Sequence, residues 1–113
     1  MNTAMSDIIL VMTNLPDEQS AGQLAQRLIE ERAAACVNRL APCTSTYRWQ
    51  GNLETASEIP LLIKTTLASY PRLEQLIREA HPYELPEIIA VPVTAGLPAY
   101  LDWVSHETNT FEE

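Results

Sequence analysis

The stretch Thr44–Thr66, TSTYRWQGNLETASEIPLLIKTT, decides the fold. It reads as one long β-hairpin. Tyr47 and Trp49 alternate with Thr46 and Arg48 on the first arm, and Ile59, Leu61 and Ile63 alternate with Glu58, Leu62 and Lys64 on the second. A period of two marks a strand with one apolar face. Gln50-Gly51-Asn52 makes the reversal, because Gly51 adopts a positive φ without a steric cost. The hairpin is too long, and too aromatic near its tip, for a chain of 113 residues to cover. Its tip is therefore expected to pack against another copy.

Upstream, Asp7–Thr13 (DIILVMT) is a continuous apolar run, the pattern of a central strand buried on both faces. Asn14-Leu15-Pro16-Asp17 reads as a turn, with Asp17 or a neighbour capping a helix whose apolar stripe is Ala21, Leu24, Ala25, Leu28 and Ile29. That helix fades through Arg32 and the run Ala33–Ala35. Cys36–Leu40 starts the next strand, and Pro42 interrupts it with a bulge or bend. Pro60 lies inside the second hairpin arm, so its missing N–H is expected at an unpaired position.

Downstream, Ser69 is a candidate N-cap and Pro71 sits in the first helical turn, followed by a stripe of Leu73, Leu76, Ile77 and Ala80. His81-Pro82 ends the helix, since a residue before proline leaves the α region. Ile88–Val93 reads as another buried strand, and a last helix spans about Ala99–His106. The order β-α-β-β-α-β plus a terminal helix predicts an α+β, ferredoxin-like sandwich. Right-handed crossovers put the first and third strands in the middle and both crossover helices on one face. One domain, 1–113, is expected, with 1–6 and 107–113 loosely held.

Composition is ordinary for a globular protein, 46% hydrophobic and 19% charged. The formal net charge of −8 repels a phosphate backbone, and the seven Lys and Arg are scattered, so no nucleic-acid partner is expected. Cys36 and Cys43 are too few for a disulfide scaffold. The apolar run Ile8–Met12 is too short for a signal peptide or a membrane span. A cytoplasmic protein with free thiols and no membrane partner is the expectation.

Several short motifs then act together: Cys36-Val37-Asn38, Tyr47-x-Trp49-x-Gly51, Glu58, Lys64-Thr65, HPYELPE at His81–Glu87, and Tyr100-Leu101-x-Trp103. In this order and spacing they resemble the CutA family of divalent-cation tolerance proteins, from about Ile8 to Val104. The resemblance implies a ferredoxin-like subunit in a tight homotrimer, with long hairpin strands exchanged between neighbours and a likeness in fold to the PII signalling proteins. It also implies a link to copper tolerance and copper(II) binding, and no enzymatic reaction. The chain departs from some bacterial members at Met12 (a Cys there), at Ala80 (a second His) and at Pro42-Cys43 (Gly and Val).

The candidate metal ligands are His81, Met12 and Cys36. A histidine ordinarily offers a titratable nitrogen near physiological pH, and His81 sits at a helix carboxyl end, where it serves equally well to satisfy free carbonyls. Topology puts Met12 toward the same end of the sheet, and a thioether with an imidazole suits Cu(I). Met in an apolar strand is otherwise core filler. Cys36 is expected at the opposite sheet end from Met12, roughly 20 Å away, so it reaches a shared metal only across a subunit boundary. The same separation argues against a nucleophilic Cys36–His81 pair, and no oxyanion hole is recognisable.

Glu58, Lys64, Tyr83, Glu84 and Glu87 form a polar set, with Glu87 or Glu58 expected to neutralise Lys64. Tyr47 and Trp49 read as interface anchors. Two functions follow. One is a cytoplasmic trimer that binds copper or a similar cation and contributes to metal tolerance. The alternative is a PII-like trimer whose inter-subunit clefts bind a small ligand or a partner protein.

Overall fold

The computed structural model describes residues 7–108; the termini 1–6 and 109–113, expected to be loose, lie outside them. The elements are β1 (Ile8–Leu15), α1 (Glu18–Glu30), β2 (Cys36–Arg39), β3 (Cys43–Trp49), β4 (Asn52–Thr66), α2 (Tyr70–Ala80), β5 (Ile89–Pro92) and α3 (Pro98–Glu107). All strand pairs are antiparallel, in the order β2-β4-β1-β5, with β3 paired to β4 alone. The first strand and the second hairpin arm are central, as expected.

The hairpin arms are β3 and β4, and the loop between them is two residues. Trp49 pairs with Asn52, while Gln50 and Gly51 have φ of 51° and 85°. Positive φ at both positions is the type I′ turn, whose twist matches that of the flanking strands. β4 is 15 residues long and does two jobs. Residues 59–66 pair with β1, and residues 52–58 pair only with β3 as a projecting ribbon. The molecule measures 50 × 27 × 23 Å, and its radius of gyration of 15.0 Å exceeds the ~13 Å of a compact chain this size.

Between β2 and β3 the residues 40–42 face only Ile59 and Pro60, because Arg39 pairs with Leu61 and Cys43 with Glu58. This extra residue is the bulge expected at Pro42. The Pro60 carbonyl accepts the Leu40 N–H on that side. Pro60 thus turns its donor-less nitrogen to the break rather than to β1.

α1 and α2 cover one face of the sheet. Ala21, Leu24 and Leu28 of α1 and Leu73, Leu76 and Ile77 of α2 pack on Val11, Leu15, Ile59, Leu61 and Ile63. Each fully buried Leu or Ile contributes about 1.5–3 kcal/mol. The Asp17 carboxylate accepts the Ser20 N–H at 2.8 Å, the predicted cap. α1 ends abruptly rather than fading: Arg32 takes φ 56°, its N–H bonds the Ile29 carbonyl, and the Ala33 N–H bonds Leu28. That is a Schellman closure with arginine in the left-handed position. Ile29, placed in the apolar stripe, is 42% exposed. Ser69 precedes α2 but its side chain caps nothing, because its hydroxyl accepts from the Thr66 hydroxyl instead.

The opposite face corrects two expectations. β1 alternates rather than being buried on both sides: Val11, Thr13 and Leu15 are buried, while Leu10, Met12 and Asn14 are half-covered. The strand also runs through Asn14 and Leu15, which read as turn. β5 is an exposed edge strand rather than a buried one, with Ile89 and Val91 facing outward. In a single chain only α3 covers this face, and only at one end, through Ile8, Ala35, Leu101 and Val104. Thr108, expected to fray, is buried, and its N–H and hydroxyl both bond the Val104 carbonyl.

Candidate functional site

The loop His81–Glu87 wraps around the end of β1 from the helix-covered face to the open face. β5 begins opposite Met12, so the Asn14 carbonyl has no strand beside it. His81, first residue after α2, fills that gap with Nε2 at 2.6 Å from the carbonyl oxygen. Its Nδ1 accepts the Tyr83 N–H at 3.2 Å. One nitrogen donates and the other accepts, so the ring is neutral and fully engaged. Burial holds its pKa below the usual histidine value, against the opposing pull of the Asn14 hydrogen bond and the Glu58 charge.

Tyr83 follows, its ring centroid 4.7 Å from that of His81. Its hydroxyl donates to Glu58 Oε2 at 3.0 Å, and the Ser45 hydroxyl donates to Oε1 at 2.6 Å. Glu58 lies one residue beyond the core positions of β4, hence on the open face, yet it is only 7% exposed. Burial, reinforced by the Glu58 carboxylate, pushes the Tyr83 phenol up to about 12. At the loop's far end, Asn14 Nδ2 donates to Glu87 Oε1 at 3.1 Å.

These groups line a cleft of about 850 Å³ between the ribbon and the loop, walled also by Tyr47, Trp49, Glu84 and Leu85. The register puts Cys43, Ser45, Tyr47 and Trp49 on one ribbon face with Glu58, Ala56, Glu54 and Asn52. The structure therefore gathers Tyr47, Trp49, Glu58, Tyr83 and Glu87, together with His81 beneath them. Sequence reasoning missed Ser45 and Asn14. The strand alternation marks Ser45, two residues before Tyr47, but nothing in the order of residues signals Asn14.

Lys64 is not part of this site. Six residues along β4 separate it from Glu58, roughly 20 Å. Its ammonium donates to Asn38 Oδ1 and lies 4.0 Å from Cys36 Sγ, not beside Glu87 or Glu58. Nearby, burial and the Cys36 thiol hold the Tyr100 phenol above its usual value.

The metal candidates do not converge either. Met12 alternates with Val11 and Thr13 and so faces the open side, while the His81 ring is spent on the strand-end carbonyl. Cys36 is not at the far end of the sheet. It pairs with Lys64, which pairs with Leu10, one alternation from Met12 on the same face. That is two strands across and two residues along, roughly 10 Å by 7 Å, still too far for a shared ion. Among the described residues no three His, Cys, Asp or Glu side chains gather as a metal would need. No described helix is long and apolar enough to cross a membrane.

A family model described as CutA1 divalent ion tolerance protein matches residues 9–107. The divalent-cation tolerance protein CutA of Thermus thermophilus is 42% identical over 104 residues, covering 92% of this chain and 99% of that one. The crystal structure of CutA from Xylella fastidiosa superposes with a TM-score of 0.90 at 46% identity, over 92% of this chain and all of the other. A CutA from Archaeoglobus fulgidus, described as a periplasmic divalent cation tolerance protein, gives a TM-score of 0.88 at 30% identity, over 90% and 99% of the two chains. With the family pattern running through both the helix-covered core and the open-face cleft, the chain belongs to the CutA1 divalent ion tolerance family.

Proposed function

We propose that this chain works as a homotrimer of ferredoxin-like subunits in the cellular response to divalent metal ions. The observation that carries the assembly is the uncovered face: Leu10, Met12, Leu62, Ile89 and Val91 share one side of the sheet with no helix over them. A contiguous apolar patch of this kind marks an association surface. The projecting ribbon supports the same reading, because a lone two-stranded hairpin is marginal in water. The number three and the exchange of hairpins between neighbours come from the family resemblance.

Copper or a similar cation, in this reading, is held between copies and not within one, since His81, Met12 and Cys36 do not meet. A cytoplasmic location is part of the same proposal, and the periplasmic description of the Archaeoglobus relative makes fractionation the deciding measurement. No reaction is assigned. Cys36 lies beside Lys64 and Asn38, while both His81 nitrogens are spent on Asn14 and Tyr83, so the two form no nucleophile–base pair.

The test combines light scattering with growth at raised copper. The mass should be three times that of the chain. A deletion strain should lose tolerance, regain it with the wild-type gene, and fail to regain it with Leu62→Glu, which charges the apolar face. A monomeric protein, or a deletion without a metal phenotype, would overturn the proposal. The cleft favours a second reading, PII-like signalling through a small ligand.

A further inference from the structure

A second cavity, of about 600 Å³, lies where the chain just beyond α1, the β4–α2 turn and the end of α3 meet. Arg32, Arg72, Ser69, Ser105 and Thr108 are in its wall, and none of the residues assigned above to contacts between copies is. Thr66 places it at one end of β4, while the ribbon occupies the other end of that strand.

Arg32 is the group here with unused bonding capacity. One of its five N–H donors is placed, with Nη2 on the His106 carbonyl at 2.9 Å, and its Nε is buried with no partner among the described residues. No ion pair among the described residues includes it. A buried charged donor is ordinarily paired, because nothing else replaces its lost hydration. The guanidinium is also held at a backbone cost, since φ of 56° is the left-handed conformation that glycine takes without strain.

The rest of the wall leaves that charge in surplus. Arg72 is paired with Glu31 at 2.8 Å, and Asp7 is the one carboxylate among the lining residues. Ser69 accepts from the Thr66 hydroxyl and so keeps its own proton to donate. An oxyanion supplies what Arg32 lacks. The planar fork of a guanidinium matches two oxygens of a phosphate, and a third oxygen can accept from a hydroxyl. The net charge of −8 repels anions at long range, so the local contact at Arg32 has to carry the binding. The volume falls within the range of small-molecule sites.

From these observations we infer that the pocket between Arg32, the β4–α2 turn and the end of α3 binds a small phosphate-bearing molecule, with its phosphate on the Arg32 guanidinium and the Ser69 hydroxyl. This goes beyond the metal-tolerance reading and does not depend on it.

Equilibrium dialysis of the full chain in its native assembly tests it, with labelled inorganic phosphate and labelled glycerol 3-phosphate as probes and sodium chloride holding the ionic strength constant. Saturable uptake at one site per chain is expected. Tighter uptake of glycerol 3-phosphate identifies an ester as the ligand, and tighter uptake of inorganic phosphate the free ion; either upholds the inference. Arg32→Gly suits the backbone at that position and should weaken uptake about tenfold or more. Arg78→Gln, exposed on α2 and outside the pocket, should bind as wild type does. The Ser69 side chain caps no helix end, so Ser69→Ala, expected to weaken uptake severalfold, reports even where Arg32→Gly fails to fold. Absence of saturable uptake, as when a carboxylate of the chain itself already holds Arg32, would overturn the inference. So would undiminished uptake by Arg32→Gly or, in its place, by Ser69→Ala, and so would an equal loss in Arg78→Gln.

Discussion

His81 Nε2 stands 2.6 Å from the main-chain carbonyl oxygen of Asn14 and closes the end of the central strand. A residue that looks like a metal ligand in the sequence is thereby a backbone cap. Removing it in His81→Ala leaves a buried carbonyl and the Tyr83 N–H without partners, which should destabilise the fold by about 1–3 kcal/mol. Chemical denaturation checks this. Copper binding by His81→Ala, measured by calorimetry on the folded fraction, should match wild type, because both ring nitrogens are already spent on Asn14 and Tyr83 within one copy.

The same contact sets a pH dependence. The His81 pKa is lowered in the folded state, first by burial, so the unfolded chain binds the proton more readily. Its stabilising contribution is full above the unfolded value near 6.5 and falls as pH drops from there toward the lower folded value. Thermal midpoints of wild type should decline across this window. The decline should be shallower in His81→Gln, and the difference between the two isolates His81 from the carboxylates that titrate lower.

Tyr83→Phe removes the 3.0 Å hydrogen bond to Glu58 and leaves Ser45 as the one hydroxyl on that carboxylate. A loss of about 1–3 kcal/mol is expected. In ultraviolet titration the wild type should retain a phenol that ionises only at about pH 12, and the variant should lack it.

Thr13 is 1% exposed, and its hydroxyl finds no partner among the described residues. Thr13→Val keeps the shape and removes the orphaned group, so it should stabilise by about 1 kcal/mol or more. A thermal midpoint raised by a few degrees would show it. An unchanged or lowered midpoint would mean that the hydroxyl is satisfied in solution.

The ribbon turn carries Gln50 at φ 51°, a conformation that asparagine adopts more readily. Gln50→Asn should slow amide exchange along Tyr47–Leu53. Gly51→Ala should hasten it, because a side chain at φ 85° is strained.

The sequence by itself determined the strand and helix order, the hairpin, the bulge at Pro42, the Asp17 cap and the family. These rest on local chemistry: a period of two or 3.6, a proline without N–H, a carboxylate beside a free helix end. It also singled out Tyr47, Trp49, Glu58, Tyr83 and Glu87, as parts of motifs. Only the tertiary structure decided which of them meet. Glu58 and Lys64 are six residues apart on one strand and look equally near the loop, yet strand rise carries Lys64 roughly 20 Å away to Asn38 and Cys36. Met12 and His81 reach the same end of β1, yet Met12 projects from the open face while the His81 ring is spent on the Asn14 carbonyl beside the strand. Asn14 became part of the site because β5 stops short of it. Register and the length of a neighbouring strand depend on non-local pairing, and no local pattern of residues encodes where that pairing ends.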